Sequence, residues 1–244
     1  MQVAIYPDIE KISREAASYV VRVGREAIEA RGLFSLGLSG GTTPGKLYGL
    51  LASEPYRSQL DWSAVHIFWS DERCVAPSDP QSNYHLAEQT LLSKLNLRPE
   101  QSHRMPADRP DRDQASADYA EEIRKVLGGD GVPVFDLLQM GMGPEGHTAS
   151  LFPHQPSLRE QVRLVMPVSV PKPPPDRLTF TPLLLQAARH LLYLVTGADK
   201  AEALYEVVEG ADNPEEYPSQ LITRGSKGEV TWMVDSAIAQ KLTL

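Results

Sequence analysis

Short apolar runs alternate with longer amphipathic stretches along almost the whole chain, and no other feature restricts the fold as much. The runs 2–6, 33–38, 65–69, 134–140, 163–168, 191–195 and 230–234 read as strands. Helical periodicity fills the intervals. In 8–30, Ile9, Ile12, Ala16, Tyr19, Val20, Val23 and Ala27 recur at threes and fours, so they share one face. A second helix runs from the cap and first-turn pair Thr43-Pro44 to about 52. Others are predicted at 82–95, 114–127, 201–209 and, capped by Asp235, 236–242. Strands that alternate with helices are joined by crossovers, which build a sheet covered on both sides. The predicted fold is α/β, an open, mostly parallel, Rossmann-like sheet with helices on both faces. No linker divides the sequence, so residues 1–244 are expected to form a single domain.

The balance of 24 basic against 32 acidic side chains, a net charge of −8, disfavours nucleic-acid and anionic-membrane partners. Both need a clustered basic face, so an anionic ligand here must be held by a local pocket. The one cysteine, Cys74, can form no internal disulfide and fits a reducing compartment. Met1 to Pro7 lacks the basic and apolar regions of a signal peptide, and no run approaches the ~18 apolar residues of a membrane span. A soluble cytoplasmic protein is expected.

Four loops follow strands: 39–43, 70–73, 141–147 and 196–200. In a parallel sheet they gather at the carboxyl edge, where open α/β folds bind ligands. They bring a glycine-rich turn at a helix start, a carboxylate with an arginine, a histidine, and Lys200. A lysine at a helix start opposes the macrodipole, and an anion between the two would explain it. His147, on a tight turn past a strand end, can titrate near neutrality and relay protons.

Three short patterns are weaker than they look. Gly37-Leu38-Ser39-Gly40-Gly41 fits a nucleophile elbow, but only one strand precedes it. Gly40 to Lys46 nearly fits a P-loop, yet Leu47 cannot ligate magnesium and Pro44 removes a donor. Gly141 to Gly146 fits G-x-G-x-x-G, but Pro153 ends any helix too early for a dinucleotide site. The six histidines show no metal spacing.

Longer blocks carry a resemblance. Leu38-Ser39-Gly40-Gly41-Thr42-Thr43-Pro44, Trp69-Ser70-Asp71-Glu72-Arg73-Cys74-Val75 and the run from Gly141 to Pro153 resemble those of the 6-phosphogluconolactonases. So do Pro171-Lys172-Pro173-Pro174-Pro175-Asp176-Arg177-Leu178-Thr179 and Val195-Thr196-Gly197-Ala198-Asp199-Lys200-Ala201-Glu202, all in the same order. The resemblance implies hydrolysis of a phosphosugar lactone in the oxidative pentose phosphate pathway, with no metal or cofactor. The related glucosamine-6-phosphate deaminases have Asp-Glu-Tyr where this chain has Asp71-Glu72-Arg73, and a glutamate where it has Phe152. Glu145 departs from the aspartate usual in the lactonases.

On this basis Ser39, Gly40, Gly41, Thr42 and Thr43 are expected to cradle the phosphate, with Arg177 and Lys200 balancing its charge. His147 is expected to act as general base on water, and Arg73 to stabilise the oxyanion or product carboxylate. Asp71 would orient Arg73, and Glu145 would orient His147. A monomer or weak homodimer is expected. Three other readings stay open: a phosphosugar sensor without turnover, a Ser39 esterase and a deaminase.

Overall fold

The computed structural model describes residues 1–129 and 131–243. Strand β1 (Gln2–Tyr6) leads into helix α1 (Ile9–Arg31), which Asp8 caps by accepting the Lys11 amide at 2.8 Å. Strand β2 (Phe34–Leu38), helix α2 (Thr42–Leu51), β3 (Val65–Trp69) and β4 (Asp71–Arg73) follow. Next come α3 (Asn83–Thr90), α4 (Arg112–Leu127), β5 (Leu137–Met140), β6 (Val165–Ser169), β7 (Asp176–Phe180) and α5 (Pro182–Gln186). The chain closes through β8 (His190–Val195), α6 (Ala201–Val208), α7 (Pro218–Arg224) and β9 (Glu229–Asp235).

Six strands form a parallel sheet in the order β1-β9-β8-β5-β2-β3. Every residue of β2 and β5 is buried, as strands covered on both faces require. From β2 the chain steps outward to β3, then returns across β2 to β5. The crossovers therefore reverse direction between β2 and β5, which makes a switch point at their carboxyl ends.

The expected loop at 70–73 is a strand instead. β4, β7 and β6 form a separate antiparallel sheet on the carboxyl edge, with Asp71 opposite Thr179 and Arg73 opposite Arg177. Polar Asp71-Glu72-Arg73 has no local strand pattern; its pairing comes from a partner far along the chain. Ser70 joins the two sheets, its amide donating to Leu38 O at 3.0 Å and its carbonyl accepting from the Phe180 amide at 2.8 Å.

Other boundaries also move. The second helix starts at Thr42 with Gly41 as its cap, and 82–95 ends as helix at Thr90 before a 3-10 turn over Leu92–Lys94. The segment after Asp235 is only a 3-10 turn, Ile238–Lys241, although Asp235 does accept the Ile238 amide at 2.9 Å. Helices α5 and α7 are too short for periodicity to reveal. Among the described residues no helix is long and apolar enough to cross a membrane.

At the opposite, amino end of the sheet, buried Asp136 staples α1, β2 and the entry to β5. It accepts from the Ser35 amide (2.9 Å) and hydroxyl (2.8 Å), and from Arg31 Nε (3.0 Å) and Nη2 (2.6 Å). Asp136→Ala strands the buried Ser35 donors and should lower stability by about 2 to 4 kcal/mol. Urea unfolding tests this, and a midpoint unchanged from the native chain would show that the staple carries no stability.

Candidate active site

The loop after β2 is fixed from below before it turns. Tyr48 donates its hydroxyl to Ser39 O at 2.7 Å, and Ser39 Oγ donates to Gln139 Oε1 at 2.7 Å. The serine hydroxyl thus points inward to a β5 side chain and touches no histidine, which removes it as an esterase nucleophile. Gly41 then adopts φ 117° and ψ 167°, a conformation that favours glycine. It caps α2 with no side-chain hydrogen bond, so the first amides of the helix are left for an outside acceptor.

Two cations stand near those amides. Lys200 sits at the end of the 3-10 turn Ala198–Lys200 and donates to Thr196 O at 3.0 Å. The Thr196 hydroxyl meets the Thr43 hydroxyl at 3.1 Å, which joins the two loops. Arg73 lines both the main cavity and an adjoining one beside Gly41 and Thr42. Its Nη1 donates to Gln81 O, and its Nε is buried without a partner.

The histidine turn follows β5. The Gly143 amide donates to His147 O at 3.0 Å, and Thr148 Oγ1 donates to Gly141 O at 2.8 Å. A methyl group on Gly143 would fall 2.2 Å from His147 Nδ1, so only glycine leaves room for the ring. His147 Nδ1 lies 3.1 Å from Glu145 Oε2, the pairing expected from the sequence. Both atoms are buried, and the contact is not aligned as a regular hydrogen bond. Contact with His147 holds the Glu145 carboxyl down at about 2, burial opposes this, and the Lys172 charge adds to it.

Phe152 stacks on the His147 ring, with centroids 4.1 Å apart and planes 11° from parallel. The Arg177 guanidinium lies 5.6 Å from the Phe152 centroid. Arg177 is buried, and burial lowers its pKa from the ordinary value. It donates to Pro174 O (3.0 Å), Lys172 O (3.2 Å) and Ser150 Oγ (3.3 Å), so three of its donors hold the proline strap and the cavity wall. The strap in turn presents Lys172, which lines the cavity.

Asp71 does not orient Arg73 as expected. Its Oδ2 accepts from Ser150 Oγ at 2.6 Å and its Oδ1 from Asn83 Nδ2 at 3.1 Å, because its side chain turns into the floor while Arg73 turns outward to Gln81. The neighbouring Glu72 is buried and structural, accepting from the amides of Asn83 and Tyr84 at 2.8 Å each and from the Ser82 hydroxyl at 2.9 Å. Burial raises its pKa against those hydrogen bonds.

One cavity of about 330 Å³ thus gathers Ser39 to Thr43, Asp71, Arg73, His147, Arg177 and Lys200; Glu145 sits behind His147. Sequence reasoning missed Asn83 and Lys172 in its lining, and Ser150 behind it, bonded to Asp71 and Arg177. Only the proline run around Lys172 hinted at a special segment. Among the described residues no group of three or more His, Cys, Asp or Glu side chains is placed to hold a metal ion.

The family profile described as glucosamine-6-phosphate isomerases/6-phosphogluconolactonase matches residues 7–232. A 6-phosphogluconolactonase of Bos taurus is 37% identical over 250 residues, covering 99% of this chain and 94% of its own. One from Synechocystis sp. is 37% identical over 234 residues, covering 95% and 93%. The solved 6-phosphogluconolactonase from Trypanosoma cruzi superposes with a TM-score of 0.87 at 30% identity, covering 100% of this chain and 97% of its own.

Because Glu145 is held at about 2, it stays ionised throughout the range in which an imidazole titrates. Its charge sits against His147 Nδ1. Glu145→Gln removes that charge, and any rate that depends on His147 should fall. A kcat equal to that of the native chain would mean the two side chains do not act as a pair.

Proposed function

The chain belongs to the family of glucosamine-6-phosphate isomerases and 6-phosphogluconolactonases, and from that premise we propose that it hydrolyses 6-phosphoglucono-δ-lactone to 6-phosphogluconate. The observation that carries this reading is the single cavity with an anion cradle at one end and an imidazole backed by a carboxylate at the other. The product feeds the oxidative pentose phosphate pathway, and the reducing compartment suggested by the lone Cys74 is the cytoplasm.

The 6-phosphate is held by the amides of Gly40, Gly41, Thr42 and Thr43, the start of α2 and Lys200. Arg73, expected at the oxyanion, is assigned here to the phosphate, since its side chain lines the cavity beside the same loop. Arg177 adds positive charge from below. Anchoring the remote phosphate turns binding energy into orientation of the lactone carbonyl.

His147 Nδ1 faces Glu145, which leaves Nε2 as the basic atom. It takes a proton from water while the water oxygen attacks the carbonyl carbon. The tetrahedral intermediate collapses by breaking the bond to the ring oxygen, which receives that proton from His147. Lys172 lines the same cavity and its charge reaches Glu145, so it suits the oxyanion and the new carboxylate. These steps use no metal or organic cofactor. Phe152 occupies the face of His147, so no second carboxylate relays a proton there, which favours lactone hydrolysis over the deaminase branch.

His147→Ala should lower kcat by about 10² to 10⁴-fold with KM nearly unchanged. Lys200→Ala should raise KM, and gluconolactone without phosphate should be a poor substrate. The assay is hydrolysis of fresh 6-phosphoglucono-δ-lactone above its spontaneous rate. A native chain that binds the phosphosugar without accelerating hydrolysis would replace this reading with that of a sensor.

A further inference from the structure

One buried atom has no part in the mechanism above. Asn83 is 1% exposed, and its Nδ2 donates to Asp71 O (2.9 Å) and Asp71 Oδ1 (3.1 Å). Both partners only accept, which fixes the way the amide faces. Its Oδ1 is therefore turned to Gly40, and it is buried with no hydrogen-bond partner. A methyl group on Gly40 would fall 1.9 Å from that oxygen. Gly40 is not among the positive-φ glycines, whereas Gly41 is. The two neighbours are thus glycine for different reasons. Gly41 needs an unusual backbone, and Gly40 needs to leave room for Asn83.

A sealed oxygen touches no substrate, so any role of Asn83 is exerted through what it packs against. We propose that Asn83 is a positioning residue whose side-chain amide sets the spacing between the glycine loop and Asp71. Asp71 is bonded to Ser150, and Ser150 to Arg177, so the same amide ties the anion cradle to the wall that carries the strap and Phe152. The spacing matters because the phosphate is bound at one end of the cavity while the ring is attacked at the other. Displacements of about 1 Å in such an arrangement are felt as large losses in rate or affinity. The Asn83 backbone is held separately by Glu72 and follows the Ser82 cap, so truncating its side chain leaves the start of α3 intact.

The inference rests on the lactonase reading for its kinetic readout and on phosphate binding for an independent one. Asn83→Ala, Gly40→Ala and the double variant are compared with the native chain for kcat and KM on the phosphorylated lactone, and for inorganic phosphate affinity by calorimetry. Asn83→Ala should raise KM and the phosphate Kd roughly tenfold. Gly40→Ala alone should be the more damaging. Once Asn83 is truncated, adding Gly40→Ala should cost less than about threefold more, because the space it needs is then free. Asn83→Asp keeps the size of the side chain but cannot donate to Asp71, and it should weaken phosphate binding as well. It gives a reading even if Gly40→Ala fails to fold.

Equal damage from Gly40→Ala in both backgrounds, or native phosphate affinity in both Asn83 variants, would overturn the proposal. Absence of lactone hydrolysis by the native chain would instead remove the functional reading, while the phosphate measurements would still decide the coupling.

Discussion

Between β2 and β5 the crossovers leave in opposite directions, and the helices they form cannot close over the carboxyl ends of both strands. Main-chain donors at those ends face a gap, and the chain fills its edges with the glycine loop and the histidine turn. The rest of the site depends on this opening. Tyr48 and Gln139 pin one lip from beneath, and the Gly143 amide closes the other onto His147 O. The histidine is presented by backbone geometry more than by side-chain bonds. That suits the proton-transfer role proposed for it.

The floor follows a different logic. Arg177, Ser150, Asp71 and Asn83 are all nearly inaccessible, and they are bonded to one another in a chain that leaves only the Asn83 Oδ1 without a partner among them. A buried guanidinium is tolerable only where a carboxylate and several acceptors surround it. Here Asp71 supplies the negative charge, while two strap carbonyls and a hydroxyl supply the acceptors. The network holds the cavity's shape and leaves the cations at its rim, Lys172 and Lys200, for a ligand.

What the sequence displayed and what it hid divide along the range of the interactions. The parallel sheet was legible because its strands are buried on both sides and read as apolar runs. The glycine loop and the His147 turn were legible because turn chemistry is local, as was the closeness of Glu145 to His147. The antiparallel sheet was not, because Asp71 to Arg73 pairs with β7, which lies far along the chain. The same distance hid Asn83, whose partner across the loop is a glycine that reveals nothing by its own identity. Asp71 was found by its company but given the wrong neighbour: proximity in sequence suggested Arg73, and the fold supplied Ser150.

Ser70 is the residue through which the main chain passes from the parallel sheet to the antiparallel one, bonded to β2 on one side and to the end of β7 on the other. Asp71, Arg73, Arg177 and the strap bearing Lys172 all lie beyond it, whereas the glycine loop, His147 and Lys200 belong to the larger sheet. The cavity is consequently assembled from two sheets that meet at one residue. Any shift in its two main-chain bonds would move one wall of the cavity against the other.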